Sequence, residues 1–156
     1  MKITVIALGN KMPLWVEMAA QDYLKRFPRS YPVDLKEIKA VKRSTASNIK
    51  ALLKEEEQKI KAVLPKNNLL ISLDEKGQKV SSMEIAHYLA TWDKEQKSPS
   101  FVIGSSDGLS ADLKQSSALI LKLSDLTLPH ALARILLLEQ LYRAISIIHH
   151  HPYHRE

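Results

Sequence analysis

Asn68–Asp74, NLLISLD, is a nearly unbroken apolar run bounded by Pro65 on one side and a polar, glycine-containing stretch, Glu75–Ser82, on the other. A strand with one wet face alternates apolar and polar residues, whereas a strand covered on both faces reads as a continuous run of this kind. The segment therefore predicts a buried strand of a parallel sheet, with residues 75–82 as a loop after it.

The neighbouring segments supply the rest of such a sheet. Residues 2–9 read as a buried first strand that ends in a turn at Gly9-Asn10, and Pro13 can open the next helix. That helix is expected to run to about Phe27, with Trp15, Met18, Ala19, Asp22 and Tyr23 near one face; Pro28 and Pro32 bracket the break after it. Val33–Ile38 alternates as a half-exposed strand would. Ser47 is the expected N-cap of a helix through Val63, with Ile49, Leu52, Leu53, Ile60, Val63 and Leu64 inward and Lys50, Lys54, Glu57 and Lys61 outward. Beyond the central run, Ile85, Leu89 and Trp92 mark a helix over Met83–Lys94. Ser100–Ile103 is a short buried strand leading into the loop GSSDGLS, residues 104–110. A short helix, the stretch Leu123–Leu128, Pro129 and a long helix from His130 to about Ile148 complete the chain. Strands alternating with helices of crossover length predict an α/β fold, a mostly parallel sheet flanked by helices, in a single domain over 1–156.

The last helix has almost no polar face, and Glu139 and Arg143 form a favourable i,i+4 pair upon it. A helix apolar nearly all round needs cover on more than one side. A homodimer interface is the expected source of the second cover.

Charge is unevenly spread. Residues 1–66 carry 14 Lys/Arg against 7 Asp/Glu, and residues 67–156 carry 9 against 10. Clusters at Lys25, Arg26, Arg29 and at Lys36, Lys39, Lys42, Arg43 suit a phosphate backbone through Coulomb attraction and counterion release; a solvated basic face with no partner is the plain alternative. With two Phe, no aromatic platform for single-strand stacking is evident. There is no cysteine, which excludes disulfides and thiolate chemistry. The N-terminal apolar run is too short for a signal peptide and no segment has the length of a membrane span, so a cytoplasmic protein with no membrane partner is expected.

Three segments could carry chemistry. Loops after strands of a parallel sheet are where small ligands bind, and two are candidates: the one from Leu73-Asp74 onward, and Gly104–Ser110. Its GSSDG is not a dinucleotide fingerprint, and a simple strand-to-helix turn capped by Asp107 or Ser110 is the competing reading. The tail HHHPYHRE contains adjacent histidines that cannot converge on one ion, so no metal site is expected. Pro152 stops the helix in this reading. Tyr153, His154 and Arg155 then offer a ring, an imidazole and a guanidinium, a set that suits a nucleotide, although a frayed terminus would read the same way.

The strings MKITVIALGNKMPLWV, DYLKRFP, FVIG-x-x-DGLS, LSDLTLPHALARILLLEQLYRA and HPYHRE resemble, along essentially the whole length, the large-subunit ribosomal RNA pseudouridine N3-methyltransferases of the SPOUT superfamily. The resemblance implies a C-terminal deep trefoil knot, a homodimer and S-adenosyl-L-methionine as cofactor. It implies a cofactor pocket at Leu73, Gly104, Leu123, Ser124, Asp125, Leu126, Thr127 and Leu128, and a catalytic set of His154, Arg155, Tyr153 and Arg134. The tail would close over the partner subunit's cofactor. The substrate implied is 23S rRNA within the large subunit or 70S ribosome, not DNA. His154 is the expected acceptor of the imide proton, with Arg155 or Arg134 beside the developing anion. Lys25, Arg26, Arg29, Lys42 and Arg43 would anchor phosphates. A transfer-RNA enzyme of the same superfamily and a ribosome-binding factor without turnover remain alternatives. One departure stands out: Ser105 occupies a position where the family carries Gly, placing a hydroxyl near the methionine end of the cofactor and restricting the backbone if φ must be positive there.

Overall fold

The computed structural model describes residues 1–155. Among them five strands alternate with five helices: β1 Ile3–Gly9, α1 Leu14–Arg26, β2 Val33–Lys39, α2 Ile49–Val63, β3 Asn68–Lys79, α3 Ser82–Lys94, β4 Ser98–Ile103, α4 Ala111–Gln115, β5 Leu119–Lys122 and α5 His130–Ile148. The strands form one sheet in the order β2-β1-β4-β3-β5, with every pairing parallel. The expected α/β architecture is present.

Both faces of this sheet are covered, which explains the continuous apolar runs. On one face Ile3, Val5, Ala7, Ile71, Phe101, Ile103 and Leu121 join a core completed by α1, α3 and α5. On the other, Ile6, Leu8, Leu70 and Val102 pack with Ile60 of α2, Leu109 and Leu113 of α4. Adjacent residues such as Leu70 and Ile71 thus feed opposite cores, as the two-residue period of a strand requires. α5 lies against both α1 and α3. Its Leu137, Leu138, Leu141, Ala144 and Ile145 are buried within the chain itself. Much of the cover that its composition demands is intramolecular, and Leu132 is the large apolar side chain that it leaves exposed.

Several boundaries differ from expectation. Residues 119–122 form β5, a strand hidden in the sequence because ALILKL is short and runs directly into an irregular segment. The polar stretch after Asp74 is not simply a loop, since β3 continues to Lys79. Leu73 and Gln78 both lie opposite Leu121, so the residues between them bulge out before pairing resumes. The N-cap of α2 is Asn48, whose side chain accepts from the Ala51 amide, while Ser47 turns its hydroxyl to the Ser44 amide. α1 buries Val16 and Ala20, leaving Trp15 and Met18 on the outside. Glu57, expected on the solvent side of α2, is buried beside Glu56; Lys54 and Lys61 pair with it from outside. α5 ends before Pro152, in a left-handed turn at His150 (φ 52°), where the amides of His150 and His151 reach back to the carbonyls of Ile147 and Ser146. That is the helix-ending pattern usually supplied by glycine.

Truncating the centre of α5 tests this packing. Leu141→Ala should cost about 2–5 kcal/mol, as for other fully buried leucines. Urea unfolding should show it as a lower midpoint at unchanged slope.

Candidate functional site: a pocket at the strand ends and a docked tail

In a parallel sheet all the strand C-termini emerge along one edge. Here the ends of β3, β4 and β5 open onto a cavity of about 500 Å³. Its walls come from Leu73–Lys76, from the loop Ile103–Gly108, and from the segment Leu121–Leu128 apart from Asp125, with His130 and Ala133 of α5 at one side and Lys114 of α4 at another. The volume lies in the range of small-molecule sites, and leucines with a few converging polar groups are the usual lining. Seven of the eight residues expected to hold a cofactor therefore meet in one place: Leu73, Gly104, Leu123, Ser124, Leu126, Thr127 and Leu128. Asp125 does not line it. Its carboxylate faces Lys79 (2.5 Å) and Lys122 (2.8 Å), whose hydrogen bonds pull it down to about 2.

The irregular path of residues 123–128 leaves backbone groups available along the wall, because neither helix nor sheet uses them. Gly104 is required by close approach rather than by an unusual φ. A Cβ there would sit 2.5 Å from the Gly108 carbonyl oxygen, inside the turn that Gly108 closes with φ 78°. Lys114 is a wall residue without a signal in the sequence; it pairs with Asp74 across the mouth at 3.2 Å, and Glu75, Lys76 and Asp107 add charge beside them. The bulge of β3 brings Asp74–Lys76 to the wall and Lys114 reaches it from the last turn of α4, a meeting that local patterning does not encode.

The four residues expected to be catalytic lie elsewhere. Arg134 is buried and turned to β2, where Nη1 donates to Glu37 at 2.8 Å; its Nε has no partner among the described residues. The tail docks on the flank of α5. Tyr153 packs edge-on against Tyr142 with centroids 4.7 Å apart, lies under the Arg143 guanidinium, and donates from its hydroxyl to Glu139 at 3.2 Å. Burial, then the neighbouring Tyr23 and Glu139, push the Tyr153 phenol up to about 12, so it stays protonated and serves as a ring and a donor. His154 is half-buried and its amide donates to the His151 carbonyl; Arg155 is exposed. None of these three lines the cavity of its own chain. His130 does. Burial first, and then the charges of Arg134 and Arg43, hold its imidazole below the ordinary range.

A family whose description is "Predicted SPOUT methyltransferase" matches residues 1–154. The chain belongs to the SPOUT methyltransferase family. It is 47% identical over 156 residues, the full length of both chains, to a protein of Neisseria meningitidis serogroup C called ribosomal RNA large subunit methyltransferase H. Proteins of the same name from Paraburkholderia phymatum and Janthinobacterium sp. are each 43% identical over 155 residues, 99% of either chain.

The serine that departs from the family pattern is accommodated without strain. Ser105 is not among the residues with positive φ, and its hydroxyl points behind the loop, donating to Glu56 at 2.6 Å.

Because the folded value of His130 lies below the unperturbed imidazole value of about 6.5, the native state binds less proton there than the unfolded chain does. The stability contributed by neutral His130 is complete above that value and is lost as pH falls through it toward the lower folded value. His130→Gln should flatten the decline of the thermal midpoint on acidification, and a nuclear magnetic resonance titration should place the His130 midpoint below that of an exposed histidine. A midpoint at or above the unperturbed value would contradict the assignment.

Proposed function

We propose that this SPOUT methyltransferase is a single-domain enzyme, acting as a homodimer, that methylates N3 of a pseudouridine in 23S ribosomal RNA on the large subunit or assembled ribosome, in the cytoplasm, with S-adenosyl-L-methionine as donor. The observation that carries the reading is the convergence of Leu73, Gly104 and Leu123–Leu128 on one cavity at the strand ends. The names of its full-length relatives supply the substrate class. No helix among the described residues is long and apolar enough to cross a membrane. The deep trefoil knot of the family belongs to the same proposal.

The cavity suits such a cofactor. Leu73, Leu123 and Leu128 in its lining are apolar surfaces of the kind that cover an adenine ring, and Asp74, Glu75 and Asp107 are carboxylates of the kind that a sulfonium and an ammonium attract. The bound cofactor would supply an electrophilic methyl group. The chain's own residues orient the acceptor and manage its proton. Holding two reactants in attack geometry can remove roughly 7–11 kcal/mol of barrier.

The imide proton of N3 has to leave, and His154 is the acceptor in this reading, with Arg155 stabilising the anion. Since the tail docks on α5 and not at its own cavity, it acts on the cavity of a second copy. That copy is expected over α1, where Leu14, Trp15 and Met18 are 70%, 51% and 63% exposed. His130 offers a second reading, because it lies at the cavity wall and stays neutral near pH 7. Among the expected phosphate anchors, Arg26 is held by Asp22 at 2.6 Å and Arg43 faces inward, which leaves Lys25, Arg29 and Lys42 to bind the backbone.

Substrate, proton acceptor, assembly and anchoring are each open to measurement. With labelled S-adenosylmethionine, ribosomes should be methylated and transfer RNA should not; label on transfer RNA alone would move the substrate. His154→Ala should lower the single-turnover rate by about 10²–10⁴-fold and remove its rise with pH, whereas loss of that rise in His130→Gln instead would favour His130. Trp15→Glu should shift sedimentation from dimer to monomer. Exchanging Lys25 and Arg29 for Glu should shallow the salt dependence of ribosome binding by about 0.7–0.9 for each phosphate that is no longer neutralised.

A further inference from the structure

The loop that forms one wall of the cavity is held from behind by a polar cluster that the proposed chemistry does not use. Glu56 of α2 is buried, with 2% of its surface exposed. One carboxylate oxygen accepts from the Arg43 Nη1 at 2.9 Å and from the Val41 amide at 3.2 Å; the other accepts from the Ser105 hydroxyl at 2.6 Å. Arg43 reaches the same loop twice more, with Nη2 on the Ser105 oxygen at 2.6 Å and Nε on Asp107 at 2.9 Å. Its Nη1 also donates to the Val41 carbonyl at 2.8 Å, which ties the fork to its own segment. The next residue of α2, Glu57, accepts from Ser110 at 2.8 Å, and Ser110 caps α4. The loop from 104 to 110 is therefore pinned at both ends by adjacent carboxylates of one helix.

We propose that Arg43 and Glu56 are positioning residues that set the backbone of the 104–108 loop for cofactor binding, and that Arg43 is not an RNA-phosphate contact. The inference rests on the reading that the cavity holds S-adenosylmethionine.

Charge supports this assignment. Arg43 is one cation between two carboxylates, Glu56 and Asp107, so the cluster carries no positive excess to draw a phosphate. Geometry supports it as well. The guanidinium spreads donors over Glu56, Ser105 and Asp107 in one plane, a pattern that a lysine ammonium cannot reproduce. The loop itself has little else to fix it: a short antiparallel bridge between Ser105 and Gly108, and the Gly108 amide on the Ser105 carbonyl at 2.9 Å. With a Ser in place of the family's Gly, the hydroxyl adds a link between Glu56 and the wall of the cavity that a glycine could not make.

The test is calorimetric titration of S-adenosylmethionine into the full-length protein, paired with ribosome binding measured in its absence. Arg43→Lys keeps the charge and breaks the fork; it should raise the cofactor Kd about tenfold or more and leave ribosome affinity unchanged. Glu56→Gln should do the same. Ser105→Ala removes the hydroxyl link and leaves the backbone restricted as before; it should raise the Kd severalfold. In the Glu56→Gln background Ser105→Ala should cost less than it does alone, because the two side chains share a hydrogen bond. Full cofactor affinity in Arg43→Lys, or additive effects of Ser105→Ala and Glu56→Gln, would overturn the proposal. So would an Arg43→Ala variant that loses ribosome affinity and keeps cofactor affinity. A wild-type chain that takes up no S-adenosylmethionine would defeat the underlying reading as well, which separates the two failures.

Discussion

Helix α5 has to bury Leu137, Leu138, Leu141, Ala144 and Ile145 completely, and it does so against the sheet between contributions from α1 and α3. Both parts of the candidate site hang from that single packing. At its first turn His130 and Ala133 close one side of the strand-end cavity; on its flank Glu139, Tyr142 and Arg143 receive the tail. At about 1.5 Å per residue, His130 in the first turn and Tyr142 beside the tail stand roughly 18 Å apart along the helix axis. The tail thus docks beside α5 and outside the cavity of its own chain.

The opposite face of the sheet does different work. α2 and α4 bury fewer large side chains, but α2 turns two acidic residues toward the loop after β4. An unpaired buried carboxylate would be costly, and each of these is satisfied by hydrogen bonds and a cation. Apolar packing on one face thus places the elements, while hydrogen bonding on the other shapes the loop that a ligand would touch. The division follows from what each interaction supplies: burial is non-directional, and charge-assisted hydrogen bonds fix angles.

Most strands and every long helix could be read from the chain because their signals are local. Continuous apolar runs at Asn68–Asp74 and Ser100–Ile103 marked doubly covered strands, and the proline and glycine punctuation set their limits. β5 was not legible, since four residues without an alternating pattern become a strand only when β3 offers an edge. The site divided in the same way. Leu73, Gly104 and Leu123–Leu128 were recognisable through the family resemblance, and the fold assembled all but Asp125 into one wall system. The Asp74–Lys114 pair and the Arg43–Glu56–Ser105 cluster were out of reach, because their members stand 40, 13 and 49 to 62 residues apart.

By itself the amino-acid sequence determined the α/β class, the parallel sheet, the family, and the residue types able to bind a nucleotide-like cofactor. These depend on periodicity, on chain order and on the motifs FVIG-x-x-DGLS and LTLPHALAR, all of which are one-dimensional. Only the tertiary structure decided which charges are available to a partner. Arg43 looks like a surface cation in the sequence, yet it is held between Glu56, 13 residues away, and Asp107, 64 residues away. It also decided that Tyr153 docks away from the cavity of its own chain. Coulomb and hydrogen-bond partners are set by distance in space, and over such separations along the chain only the closed sheet and its helices define that distance.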